Sequence, residues 1–221
     1  VLKQTENIKS KKLYFSSKKK ADCYLKDDII YYNDEEVLDT NKMIIVGNHN
    51  KENVMASIMV AKEFNVSNDT IRKVAYNFKG VEHRLEFSGE IDGVKYYNDT
   101  EATNIKCTQI ALSSFNKPTI IILGGLERGQ DFNELTPYMK NVKAVLAIGE
   151  CRKRVEDYAK SLKIPVYTHE FLKDAMKEIE GIKKSGDVVL LSPASASWDQ
   201  YKECEIRGKE FKDYVKSLKE A

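Results

Sequence analysis

The chain has 221 residues, of which 36 are Lys or Arg and 34 Asp or Glu, for a formal net charge of +2. That balance gives no reason for a polyanionic partner, and no basic stripe with interleaved aromatics argues for a nucleic-acid module. Apolar residues at 42% suffice for a real core, and the length holds one full domain plus part of another. Cys23, Cys107, Cys151 and Cys204 are scattered without CxxC spacing, so they read as reduced thiols of a cytoplasmic protein rather than a disulfide or zinc framework. No apolar stretch approaches membrane-spanning length and no signal peptide is recognisable. Monomer is the default expectation.

In chain order, the first segment is Lys-rich from Lys9 to Lys20, interrupted by Leu13-Tyr-Phe15, which reads as a short strand with a solvated face. Further short strands are expected at 21–25, 29–32, 36–38 and 43–46. The polar Lys26-Asp-Asp28 and Asn33-Asp-Glu35 suit turns between them. Such a meander has too little surface to bury by itself. With an opening Val1-Leu-Lys-Gln-Thr5 that lacks an initiator Met, it reads as the trailing edge of a larger domain, and the chain as a fragment.

From Gly47 the pattern changes. Helices are expected at 52–64, with Val54, Ile58 and Ala61 on one face, and at 69–78. Residues 84–98 form a hairpin turned at Asp92-Gly93. Strands at 119–123, 144–148, 165–167 and 187–191 then alternate with helices at about 105–114, 132–140, 151–162 and 171–179. A last helix is expected from Trp198 to Leu218. Ser197 with Gln200 fits a capping box that would start it. Apolar strands alternating with helices predict an α/β fold, a Rossmann-like, mostly parallel doubly wound sheet with helices on both faces. The expected division is a β-rich segment at 1–47 and a second domain at 48–221.

In such a sheet, ligands bind where strand carboxyl ends open onto a crevice. Tyr97-Asn-Asp-Thr-Glu-Ala-Thr-Asn104 reads either as turn plus cap or as a polar loop for hydroxyls and carboxylates. Leu123-Gly-Gly-Leu-Glu-Arg-Gly129 is either a plain turn or a close backbone approach to a ligand, with Arg128 offering a planar fork. It is neither a dinucleotide fingerprint nor a Walker loop. His83-Arg84-Leu-Glu86 offers Arg84 to a phosphate or to an ion pair with Glu86. In Gly47-Asn-His-Asn-Lys-Glu-Asn53, Asn50 suits a helix cap and Asn53 a base edge. Ser192-Pro-Ala-Ser-Ala-Ser-Trp-Asp-Gln-Tyr201, closed by Glu205-Ile-Arg-Gly208, is a small-residue loop whose amides suit an anion or merely cap a helix.

The order and spacing of these loops carry more than any one of them. The series of His49-Asn50, His83-Arg84, Asn98-Asp99-Thr100-x-Ala102-Thr103-Asn104, Gly124-Gly125-x-x-Arg128 and Ser192-Pro-Ala-x-Ala-Ser197 resembles the C-terminal part of the Mur ligases of peptidoglycan synthesis. The last three elements point to the member that adds D-glutamate. The resemblance implies that 1–47 is the end of a central ATPase domain and 48–221 the C-terminal domain. In these ligases ATP phosphorylates the carboxylate of the nucleotide-linked substrate, here UDP-N-acetylmuramoyl-L-alanine. The amine of D-glutamate then attacks, giving an amide, ADP and phosphate. It implies that Thr103, Arg128 and Ser197 grip D-glutamate carboxylates, with the backbone around Cys204 as a further contact. Asn50 and Asn53 take the adenine side, Arg84 a phosphate and Asp99 a ribose hydroxyl. The phosphate loop and the Mg2+ ligands are expected upstream, so this stretch is expected to bind and position without turnover.

One residue departs from the pattern. Glu101 stands where the family commonly carries Lys, and a carboxylate there weakens contact with ATP phosphates unless it pairs with Arg84 or a lysine. The alternative readings are another Mur ligase, a folylpolyglutamate synthetase-type ligase, and a non-catalytic α/β interaction module.

Overall fold

The computed structural model describes residues 9–220, so the first eight residues of the expected 1–47 segment lie outside the described residues. The chain divides into two compact units: one of residues up to Ile44 with Asn48–Phe78, the other of Ile45–Gly47 with residues from Lys79 onward.

The first unit holds a four-stranded sheet in the order β1 (Phe15–Ser16), β2 (Cys23–Lys26), β3 (Ile29–Tyr32) and β4 (Glu35–Asp39). Both of its two-residue hairpin turns, Asp27-Asp28 and Asn33-Asp34, have positive φ throughout. That is the twist-matched turn that Asp and Asn tolerate best. Ile30 and Tyr32 alternate inward with Val37 and Leu38. They meet Met55, Ile58 and Met59 of α1 (Asn48–Glu63) and Ile71 of α2 (Asn68–Asn77). The small sheet is therefore covered by two helices that the sequence reading groups with the later segment. The strand expected at 43–46 does not form. Asp39 accepts a hydrogen bond from the Asn41 amide, caps a 3-10 turn at Thr40–Lys42 and ends the run of strands. α1 begins at Asn48, so Asn50 lies inside its first turn and is not its cap.

The second unit is a six-stranded sheet in the order β5 (Glu86–Ile91), β6 (Val94–Asn98), β10 (Val188–Leu191), β7 (Thr119–Gly124), β8 (Val142–Ile148), β9 (Val166–Thr168). β5 runs antiparallel to β6 through the Asp92-Gly93 turn, and all other neighbours are parallel. β10, last in the chain, is inserted between β6 and β7, which is the switch point of a doubly wound sheet. The two faces follow the period of two. Ile121 and Leu123 join Val145, Ala147 and Leu190 under α3 (Ile105–Leu112), a 3-10 segment at Phe132–Asn141 and α4 (Arg152–Ser161). Ile120 and Ile122 join Leu146, Val189 and Leu191 under α5 (Leu172–Ile182) and α6 (Cys204–Glu220). The expected helix at 132–140 is wound as 3-10 and contains Pro137, which lacks the N–H that an α-helix interior requires.

Because β7 is fully buried on both faces, Ile122→Ala is expected to cost about 2–5 kcal/mol, read as a lower urea midpoint. A loss below about 1 kcal/mol would contradict a two-faced core.

Candidate functional site

Three loops leave the carboxyl ends of adjacent parallel strands: 99–104 after β6, 125–131 after β7 and 192–203 after β10. The strand order alone puts them side by side. The Asp99 amide donates to the Leu191 carbonyl, and Ser192 Oγ donates to Asp99 Oδ2 at 2.7 Å. The Gly124 and Leu126 amides donate to the Pro193 and Ala196 carbonyls, and Gln130 Nε2 donates to Ser195 Oγ at 2.5 Å.

Arg207, from the first turn of α6, joins two of these loops. It is 1% exposed, yet it is charged. Its Nε donates to Thr100 Oγ1 at 3.0 Å, and its Nη2 donates to the Thr100 and Ser195 carbonyls, both at 3.1 Å. Nη1 has no partner among the described residues. Burial lowers the guanidinium from its ordinary value to about 10, so it remains a cation at neutral pH. The sequence reading gave Arg207 no role. A signal was present, since Arg207, Phe211 and Val215 repeat at i, i+4, i+8 and all three are buried, placing an Arg on the apolar stripe.

The paired glycines serve the protein's own backbone. A side chain on Gly124 would collide with the Ile148 carbonyl, and one on Gly125 with the Ala196 carbonyl and Arg207 Nη1. Both have φ in the left-handed half of the map, +117° and +143°. The close approach these glycines allow is to the end of the neighbouring strand β8 and to the 192–203 loop.

Ser197 is 1% exposed and its Oγ has no hydrogen-bond partner among the described residues. The expected capping box does not form. Ser197 accepts through its carbonyl from the Gln200 and Tyr201 amides in a single turn, Gln200 Nε2 donates to the Glu170 carbonyl, and α6 starts at Cys204. Asp199 is diverted as well, accepting from the Glu150 amide at 3.0 Å. Arg128 is exposed, and its guanidinium forms no hydrogen bond or ion pair among the described residues. It lies over the Trp198 ring, 4.7 Å from the centroid. Thr103 is half-buried on the 99–104 loop, its amide donating to the Glu101 carbonyl. The Cys204 carbonyl accepts from Thr100 Oγ1 at 2.9 Å, which fastens the start of α6 to that loop. Burial, with Glu205 and Glu101 adding to it, raises the Cys204 thiol to about 11, so it is no nucleophile at neutral pH. All four cysteines are free.

The residues expected on the nucleotide side fall on separate elements. Asn50 and Asn53 sit one turn apart on α1 of the first unit. In the second unit Arg84 is exposed and pairs with Glu101 at 3.5 Å, not with Glu86. Glu86 is occupied by the His83 amide, by Asn98 Nδ2 and by Lys212. Asp99 is 7% exposed and also accepts from the Leu85 amide. Neither of two carboxylate clusters suits Mg2+. Lys212 binds Glu82 and Glu86 beside His83, and the Glu101–Glu205 pair surrounds a protonated thiol. A cavity of about 710 Å³ adjoins the loops, lined in part by Leu126, Glu150, Phe171, Asp199 and Tyr201. Among the described residues no helix is long and apolar enough to cross a membrane.

The fold and these loops define a doubly wound α/β domain with a loop-lined crevice at its switch point. A family model described as "Mur ligase, glutamate ligase domain" matches residues 83–195. The chain belongs to the Mur ligase family. It is 42% identical over 206 residues to UDP-N-acetylmuramoylalanine–D-glutamate ligase of Oenococcus oeni, covering 92% of this chain and 47% of that protein. It is 44% identical over 198 residues to the ligase of the same name from Bacillus subtilis, covering 89% and 44%. The chain thus spans about half the length of the curated relatives it matches. Among solved structures it resembles UDP-N-acetylmuramate-alanine ligase of Thermotoga maritima, with a TM-score of 0.65 at 16% identity, covering 93% of this chain and 48% of that one. It also resembles a MurF ligase from the same organism in complex with ADP, with a TM-score of 0.64 at 19% identity, covering 93% and 49%. At these identities the structures show the fold.

Burial pushes the Asp99 carboxyl up to about 6 from 3.8, against the hydrogen bonds from Ser192 and Leu85 that pull it down. The folded chain therefore holds this proton more tightly than the unfolded chain. Its contribution to stability is full below about pH 4 and is lost as pH rises through about 6. Asp99→Asn is expected to remove that slope, so the variant gains on the wild type between those pH values in urea unfolding. A difference that does not change with pH would contradict it.

Proposed function

We propose that this chain is the amino-acid-binding part of an ATP-dependent ligase that joins D-glutamate to UDP-N-acetylmuramoyl-L-alanine. The observation that carries the reading is a pair of open groups joined by Trp198, which follows Ser197 in sequence and lies under Arg128 in space. One is the buried Ser197 hydroxyl, with no acceptor or donor among the described residues, and the other is the Arg128 fork held over Trp198. A dicarboxylate amino acid has one carboxylate for each. A guanidinium binds such a group through two parallel charge-assisted bonds, and a buried hydroxyl gains most from a charged acceptor. The names of the relatives from Oenococcus oeni and Bacillus subtilis support the same substrate.

ATP, as co-substrate, turns the acceptor carboxylate into an acyl phosphate, because a carboxylate is a poor electrophile until one oxygen can leave. The work of this chain is to hold the attacking amino acid by its two carboxylates so that its amine is free and aimed. In this reading Thr103 adds a hydroxyl from the 99–104 loop and the backbone at Cys204 adds a polar contact. The same reading gives Asn50 and Asn53 to adenine, Arg84 to a phosphate and Asp99 to a ribose hydroxyl. The Arg84–Glu101 pair supports a muted phosphate role, since Arg84 must exchange one anion for another. Mg2+ belongs to the same reading, and the described residues offer it no fitting ligand set. A cytoplasmic location follows from where such precursors are made.

Titration calorimetry with D-glutamate, and L-glutamate as control, tests the assignment. Arg128→Ala is expected to weaken D-glutamate by roughly tenfold to a hundredfold, the range for hydrogen bonds to charged groups. Ser197→Ala is expected to weaken it about tenfold while leaving stability within ~1 kcal/mol, because no hydrogen bond among the described residues is broken. Equal binding of both enantiomers, or a Ser197→Ala variant that unfolds more easily yet binds unchanged, would contradict the assignment.

A further inference from the structure

We infer that Trp198 is a positioning residue for Arg128, a shelf that sets the guanidinium before any ligand arrives. This rests on the reading of Arg128 as a carboxylate-binding group. The chain contains a single Trp, and it is 63% exposed at the ligand mouth rather than in either core. An exposed indole has no solvation reason to be there. It lies under a guanidinium carbon 4.7 Å from its centroid, in the range of a cation–π contact.

The two interactions of the guanidinium do not compete. Stacking uses the face of the plane, whereas a carboxylate is bound in the plane by the N–H edge. The Arg128 amide also donates to Gln130 Oε1 at 3.0 Å, and Gln130 holds Ser195 of the neighbouring loop, so the backbone carrying the fork is braced. Among the described residues the side chain otherwise has no polar partner to fix it. Without the indole, a long flexible side chain would have to be ordered at the moment of binding, and affinity would fall by that amount. Trp198 directly follows Ser197, so one turn of chain positions both carboxylate contacts.

The test uses the 15N-labelled chain and two readouts. The Arg128 side-chain N–H signal, assigned with Arg128→Lys, is expected to be shifted upfield by the indole ring current in the free protein and to lose that shift in Trp198→Ala. D-glutamate affinity from the same spectra is expected to fall about threefold to fivefold in Trp198→Ala and to recover partly in Trp198→Phe. In Arg128→Ala, D-glutamate affinity from the same shifts is expected to fall by roughly tenfold to a hundredfold. No ring-current shift in the wild type, or unchanged affinity in Trp198→Ala while Arg128→Ala loses binding, overturns the shelf and leaves the carboxylate reading standing. A wild type silent to D-glutamate, or an Arg128→Ala variant that binds normally, overturns that reading and the shelf with it.

Discussion

A buried guanidinium organises the mouth of the second unit. Among the described residues Arg207 has no carboxylate partner and is held by a hydroxyl and two carbonyls from loops that leave different strands. Taking a cation out of water is unfavourable unless its donors are satisfied, so any drift of either loop would strand it. The planar fork reaches both loops at once, which a lysine's single point of charge does not. The Thr100 hydroxyl adds the Cys204 carbonyl to the same network, and Gly125 leaves room for it. Three loops that topology only makes neighbours become one rigid rim.

Rigidity in the rim explains why the groups left open are informative. Asp99, Ser192, Ser195 and Gln130 are spent on one another across the loops. Ser197 and Arg128 are not, although one is buried and the other carries a charge. Along with Arg207 Nη1, these are the groups of the rim left open among the described residues, which supports the proposed anion contact at Ser197 and Arg128. Glu101 lies on the 99–104 loop that Arg207 holds, and this residue, which departs from the expected pattern, is accommodated by an ion pair with Arg84, just before β5.

The second unit was legible where burial is symmetric. β7, β8 and β10 read as apolar runs because both faces are covered, and in the first unit the turns at 27–28 and 33–34 read from their polar residues. Sequence reasoning failed where a local signal had a tertiary competitor. Ser197-x-x-Gln200 has the letters of a capping box, but Gln200 and Asp199 are drawn to Glu170 and Glu150, so the helix waits until Cys204. The glycine pair announced a close approach without saying to what. The stretch at 43–46 has the composition of a strand, but Asp39 caps a turn just before it. Helices α1 and α2 were read correctly as helices. That they complete the core of the small sheet follows from packing, which periodicity does not specify.

The most direct measurement is a high-resolution structure of the chain with D-glutamate bound. The account predicts one ligand carboxylate in the plane of the Arg128 guanidinium and the other within hydrogen-bond distance of Ser197 Oγ. The Arg207 bonds to Thr100 and Ser195 should be unchanged. D-glutamate bound away from Ser197 and Arg128, or a Ser197 hydroxyl turned to a protein acceptor with the ligand present, would contradict it.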